Sequence, residues 1–188
     1  MGQDDHVPPR IRSLLVLGGA RSGKSAYAQR LAETCGADRL YLATASAGDA
    51  EMAARIARHR SERGPGWATL EEPLAVASAL GAETRPGRVV VVDCLTLWLS
   101  NLMHAGLDPA VAVAGLAQAT RTLAGPAILV SNEVGMGIVP DNRLGREFRD
   151  WQGRTNREIA EACDAAVFIA AGLPVQLKPV SAPAIRLS

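Results

Sequence analysis

Gly18, four intervening residues, then Gly23, Lys24 and Ser25 form a spacing that suits polyphosphate binding. Backbone N–H groups must wrap the phosphates closely, and side-chain-free positions such as Gly18, Gly19 and Gly23 permit that approach, with Ala20, Arg21 and Ser22 completing the loop. Lys24 can then reach the outer phosphates as a mobile charge, while the Ser25 hydroxyl stands where a magnesium ion bridges two of them. A glycine-rich turn that merely precedes a helix is the plainer alternative. The apolar run Leu14–Leu17 before the loop and the amphipathic stretch after it favour the phosphate reading.

Two further residues carry chemical potential. Asp93 follows four successive valines, Val89–Val92, which read as a central parallel strand. Ligands of open α/β sheets bind beyond the carboxyl ends of strands, so Asp93 is placed either to hold magnesium or to act as an ordinary strand-end cap. His59 lies three or four residues from Ile56 and Arg63 and on one stripe with Met52. Among Arg55, Arg58, Arg60 and Arg63 its imidazole is either a nucleophile toward phosphorus or a half-buried structural side chain. His6 falls in a polar leading stretch, and His104 sits at a helix end near Gly106, where the last carbonyls are its simplest partners.

These groups need a scaffold of alternating strands and helices. Strands are expected at 14–17, 40–43, 67–70, 89–92, 127–130, 167–170 and 175–177. Helices are expected from Lys24 to about Glu33, from Asp49 to about Arg63, and from Leu74 to Glu83. Further helices are expected over 95–104, 109–123 and 142–163, the last with Arg143, Arg146, Arg149, Arg154 and Arg157 paired to neighbouring carboxylates. Asn132 and Glu133 mark a strand end, and the glycine-rich, apolar loop 135–140 is suited to cover a ligand. The fold class is therefore α/β, a doubly wound and mostly parallel sheet with helices on both faces. One domain over 13–178 is expected, between a flexible tail over 1–12 and another over 179–188.

Composition narrows the function classes. A chain of 188 residues that is 48% hydrophobic can bury one sizeable core. The net charge of +1 gives no strong field toward nucleic acid or an anionic membrane, so small molecules are the expected partners. Three dispersed cysteines without CxxC spacing argue against a disulfide framework or zinc site and for a reduced, cytoplasmic location. The leading stretch has no apolar targeting segment, and no apolar run reaches membrane-spanning length.

GGARSGKS at 18–25, YLATA at 41–45, EMAARIARHR at 51–60, WATLEEP at 67–73, VVDCLTLWLSNLM at 91–103, SNEVGMGIVP at 131–140 and GRTNREIA at 153–160 together resemble the bifunctional adenosylcobinamide kinase / adenosylcobinamide-phosphate guanylyltransferase family of cobalamin biosynthesis. The resemblance spans Ser13 to Lys178 and implies a RecA-like fold, often a homotrimer. It implies phosphorylation of the aminopropanol hydroxyl of adenosylcobinamide by a nucleoside triphosphate, ATP or GTP. Transfer of GMP from GTP follows, giving adenosylcobinamide-GDP and pyrophosphate through a GMP-histidine intermediate on the residue matching His59. Nucleotide contacts would fall on the loop 18–25, on Thr44, Ala45 and Ser46, on Arg60, Ser61, Glu62 and Arg63, and on Glu71 and Asp93, with Mg2+ held by Ser25 and Asp93. Some family members carry Glu where Asp93 stands, which keeps the charge with a different reach.

Other classes fit less well. A GTP switch would need an Asn-Lys-x-Asp segment and a DxxG switch, and the chain has neither. A motor ATPase on nucleic acid would need a basic stripe interleaved with aromatics. A kinase lacking guanylyltransfer would need only the loop, magnesium and a positioned hydroxyl.

Overall fold

The computed structural model describes residues 11–35, 38–45, 61 and 63–179. Runs of leucine, valine and alanine form the strands β1 (Ser13–Gly18), β2 (Asp38–Ala43), β3 (Trp67–Glu71), β4 (Arg88–Asp93), β5 (Ala127–Asn132), β6 (Ala165–Ala170) and β7 (Leu173–Lys178). Helices α1 (Lys24–Cys35), α2 (Val76–Glu83), α3 (Leu95–His104), α4 (Pro109–Arg121) and α5 (Arg143–Ala162) separate them. The strands make one sheet in the order β3-β2-β4-β5-β1-β6-β7. All pairings are parallel except β6 with β7, which a tight turn at Gly172 makes antiparallel.

Period-two alternation divides the core between the two faces of the sheet. Leu14, Val16, Tyr41, Val89, Val91, Ile128 and Val130 pack with Ala28 and Ala32 of α1. Leu15, Leu40, Leu42, Val90, Val92 and Leu129 pack with α2, α3, α4 and α5 through residues such as Leu80, Trp98, Leu116 and Ile159. Each such side chain, fully buried, contributes about 1.5–3 kcal/mol.

Polar devices set the ends. Asp108 accepts from Ala110 N ahead of Pro109, and Asn142 accepts from Gly145 N, so α4 and α5 start where their caps stand. The Lys178 ammonium on β7 donates to the carbonyls of Ala160, Glu161 and Cys163, which closes the end of α5. At the start of the sheet, Asp164 accepts from Arg12 N and Ser13 N.

Three details differ from the sequence reading. The helix expected from Leu74 begins at Val76, because Glu72 accepts from Leu74 N at 3.0 Å and Ala75 N at 2.7 Å and holds a turn there. The last two strands are longer than their apolar runs, since hairpin pairing recruits Pro174 and Lys178. On α5 the expected ladder of ion pairs does not form. Among the described residues its one ion pair is Arg149–Asp150, while Arg146 donates to the Pro140 and Asp141 carbonyls and Arg154 lies over the Trp151 ring. The helix expected over 49–63 lies outside the described residues apart from Ser61 and Arg63.

Candidate nucleotide-binding and active site

The phosphate loop hangs between β1 and α1, at the carboxyl edge of the sheet. Ser22 N donates to the Gly19 carbonyl and Tyr27 N to the Gly23 carbonyl, which joins the loop to the first turn of α1. From the other side, Gly172 N in the β6–β7 turn donates to the Ser22 carbonyl at 2.9 Å. Gly18 has φ +153, and a Cβ there would meet the Ile169 carbonyl oxygen at 2.5 Å. Gly18→Ala is therefore expected to cost about 1–3 kcal/mol, read as a lowered melting temperature together with weaker GTP binding in titration calorimetry. Arg21, with φ 56, holds a left-handed conformation that a non-glycine residue rarely adopts, and its side chain is exposed.

Lys24 is 7% exposed, and its ammonium donates to the Gly19 carbonyl at 2.6 Å. The cation thus lies folded onto the loop that would cradle phosphate. Burial lowers its pKa from the ordinary lysine value, and Asp93 and Cys94 pull it partly back. The Ser22 Oγ is buried within the loop without a hydrogen-bond partner, an unfilled donor beside the phosphate cradle.

Asp93 ends β4, and β5 runs between that strand and β1. Registers place Asp93 level with Val130, and Gly18 level with Asn132. Alternation then puts Asp93, Val91, Val130 and Asn132 on the face that carries α1, the same face from which the loop rises. Asn132 at the end of β5 is thus bracketed by the phosphate loop and the Asp93 carboxylate. The sequence marked it only as a strand end. Its backbone is fixed by Thr96, whose Oγ1 accepts from Asn132 N, and by Asn156, which donates to its carbonyl.

The other expected residues separate into groups. Glu71 is exposed at the end of β3, in one lateral row with Ala43 and Asp93. Ala45 is half-buried just beyond β2. Thr44, expected among the nucleotide contacts, has its side chain engaged within the protein. It is fully buried, its hydroxyl donates to the Cys94 carbonyl and accepts from Cys94 N, and its carbonyl accepts from Asn101. It fastens β2 to the turn after Asp93.

Arg63 also has its side chain committed. It is 6% exposed, donates to Thr69 Oγ1, and places its guanidinium 3.8 Å from the Tyr41 ring centre. Ser61 is exposed. Ser46, His59, Arg60 and Glu62 lie outside the described residues. Tyr41, read above only as part of a buried strand, donates to Asp93 Oδ2 at 2.7 Å. Cys94 beside it is no nucleophile, since burial pushes its thiol up to about 11.

The arrangement can hold a triphosphate along the loop and present it to an acceptor above the end of β5. A solved type III secretion ATPase of pathogenic bacteria aligns with a TM-score of 0.50 at 11% identity, over 88% of this chain and 56% of that one. The likeness is one of fold, the RecA-like phosphate-loop arrangement. Sequence relatives are closer. The bifunctional adenosylcobalamin biosynthesis protein CobP of Pseudomonas aeruginosa is 49% identical over 87% of this chain and 96% of its own length. The protein CobU of Escherichia coli, which carries the same bifunctional description, is 36% identical over 88% of this chain and 99% of its own length. A family model described as cobinamide kinase / cobinamide phosphate guanyltransferase matches residues 14–177, which takes in every strand of the sheet from the phosphate loop to β7, and the chain belongs to that family.

Proposed function

We propose that this chain phosphorylates the aminopropanol hydroxyl of adenosylcobinamide with a nucleoside triphosphate and then transfers GMP from GTP to that phosphate. The observation that carries the reading is the pairing of one phosphate loop with one strand-end carboxylate, Asp93, on the α1 face of the sheet, in a chain whose family performs both reactions by name. Both steps then draw on a single triphosphate site.

In the kinase step the acceptor oxygen attacks the γ-phosphorus, the bond to the bridging oxygen breaks, and the nucleoside diphosphate leaves. The protein's task there is positioning and charge stabilisation. Loop N–H groups hold the phosphates, and Lys24 swings from the Gly19 carbonyl onto the outer phosphate oxygens. Asn132 is the polar side chain placed to orient the incoming hydroxyl. In the transfer step a nitrogen of His59 attacks the α-phosphorus of GTP and pyrophosphate leaves. The acceptor phosphate then attacks the same phosphorus and His59 departs. Glu71, one strand outward from β2, is the carboxylate suited to accept from guanine or ribose donors.

Mg2+ fits the donor set. A hydroxyl at Ser25 and one carboxylate at Asp93 are hard oxygen ligands that leave room for phosphate oxygens and water, which is how this cation is ordinarily held. Bound there it would neutralise charge on the phosphate oxygens. Among the described residues no group of three or more His, Cys, Asp or Glu side chains forms a self-sufficient metal cage. Asp93→Asn, which keeps the shape and removes the charge, is expected to lower activity and raise the magnesium concentration for half-maximal rate about tenfold. An unchanged metal titration returns Asp93 to a strand-end cap.

ATP and GTP are the expected donors. A homo-oligomer, with three copies the leading expectation, is supported by the exposed apolar side chains of Met136, Ile138 and Val139, and the mass in solution tests it. The function itself is tested by incubating the protein with adenosylcobinamide and either ATP or GTP and weighing the products. A gain of one phosphate, followed with GTP by a gain of GMP, is expected. Product that stops at the phosphate in the presence of GTP identifies a kinase alone, and unmodified adenosylcobinamide with both donors overturns the reading.

A further inference from the structure

Tyr41 lies mid-strand in β2, one strand over from the residue it serves. Its Cα is level with Val91 of β4 and Thr69 of β3, while Asp93 is level with Ala43, two residues further along. Strand alternation puts Tyr41 and Asp93 on the same face, so the tyrosine leans along the sheet toward the carboxyl edge and its hydroxyl donates to Asp93 Oδ2 at 2.7 Å. Only Oδ2 is engaged by it. That contact leaves the second oxygen, Oδ1, for a cation and its water.

The ring is itself held on both sides. The Arg63 guanidinium lies 3.8 Å from its centre, and Trp67 meets it edge-on at 6.2 Å between centroids. Arg63 is in turn tied to Thr69, and its Nε is buried with no hydrogen-bond partner, so the ring face is that side chain's main compensation. Thr69, Arg63, Tyr41 and Asp93 thus form one line of contacts across β3, β2 and β4, buried at Arg63 and Tyr41 and half-buried at its two ends. A packing tyrosine needs no hydroxyl, and this one carries a polar group into the core to reach a single carboxylate oxygen.

We propose that Tyr41, braced by Arg63, is a positioning residue that fixes the rotamer of Asp93 so that one carboxylate oxygen is presented to the divalent cation of the bound triphosphate. The proposal rests on the reading of Asp93 as a cation ligand. Tyr41→Phe removes one oxygen atom and leaves the ring for Arg63 and Trp67. The freed carboxylate samples other rotamers, and cation affinity falls while nucleotide affinity without cation does not.

The test uses the full chain with GTP and Mn2+ as the probe, free Mn2+ being counted by electron paramagnetic resonance. Tyr41→Phe is expected to raise the Mn2+ midpoint about tenfold, with GTP binding in EDTA and the melting temperature close to those of the parent. Because both residues act on one ligand, the Tyr41→Phe/Asp93→Asn double variant is expected to bind Mn2+ no more weakly than Asp93→Asn alone. A parent-like midpoint in Tyr41→Phe while Asp93→Asn is shifted overturns the positioning role and spares the Asp93 reading. A parent-like midpoint in Asp93→Asn overturns both. Equal loss of GTP binding with and without cation in Tyr41→Phe assigns the residue to packing and overturns the proposal.

Discussion

Lys24→Ala is expected to lower both cobinamide phosphorylation and guanylyl transfer by about 10²- to 10³-fold, the range that follows when one preorganised charge is removed from a phosphoryl-transfer site. Both activities fall together because the described chain offers one phosphate loop, and Lys24 is the cation within it whose partner is a displaceable backbone carbonyl. Stability moves the other way. The ammonium is buried at a cost, which is why its pKa lies below 10.5, so the nucleotide-free variant is expected to melt no lower than the parent. The sign of the pH dependence follows. A lysine with a lowered folded pKa binds fewer protons folded than unfolded, so parent stability rises with pH between that lowered value and 10.5. Lys24→Ala lacks this rise. Phosphorylation at a near-parent rate in Lys24→Ala, measured by product mass against time, would separate the kinase step from the loop.

How much of this site could be read from the sequence depended on how far apart its parts lie along the chain. The loop, its lysine and its serine are contiguous, and strand, turn and helix signals flank them within a few residues, so local chemistry specified local structure. Asp93 was legible for a similar reason, as the residue ending a run of valines. Tyr41 was not. Its partner is 52 residues away, and their meeting depends on β2 lying beside β4, a matter of sheet order that periodicity does not encode.

Thr44 was placed at a strand end, but its internal anchoring was not legible for the same reason. A hydroxyl after a strand reads as open to ligand until the neighbouring strand brings Cys94 against it. Asn132 acquires its interest only from the order β4-β5-β1, which sets it between two groups the sequence had marked separately. The α5 arginines illustrate the opposite error. Spacing predicted ion pairs, and Arg149 makes one with Asp150, but exposed pairs on a helix gain little, and carbonyls take Arg146 while a Trp ring takes Arg154.

His59→Ala is expected to abolish guanylyl transfer while leaving substantial kinase activity, the largest separation of the two reactions that one substitution can make. The transfer step requires a nucleophile to displace pyrophosphate from the α-phosphorus and a second displacement by the acceptor phosphate. The kinase step moves the γ-phosphate directly onto a hydroxyl and needs the loop, Lys24 and the cation ligands, none of which the substitution touches. Four residues beyond His59, Arg63 is fixed on the Tyr41 ring and so on the strand pair that ends at Asp93, which ties the chain after the histidine to the carboxyl edge. Protein incubated with GTP labelled at the α-phosphate is expected to retain label that acid releases and alkali does not, as a phosphorus–nitrogen bond requires. Label at the γ-phosphate is expected to leave with pyrophosphate. Retention of α-label by His59→Ala, or continued formation of adenosylcobinamide-GDP, would show that another group is the nucleophile.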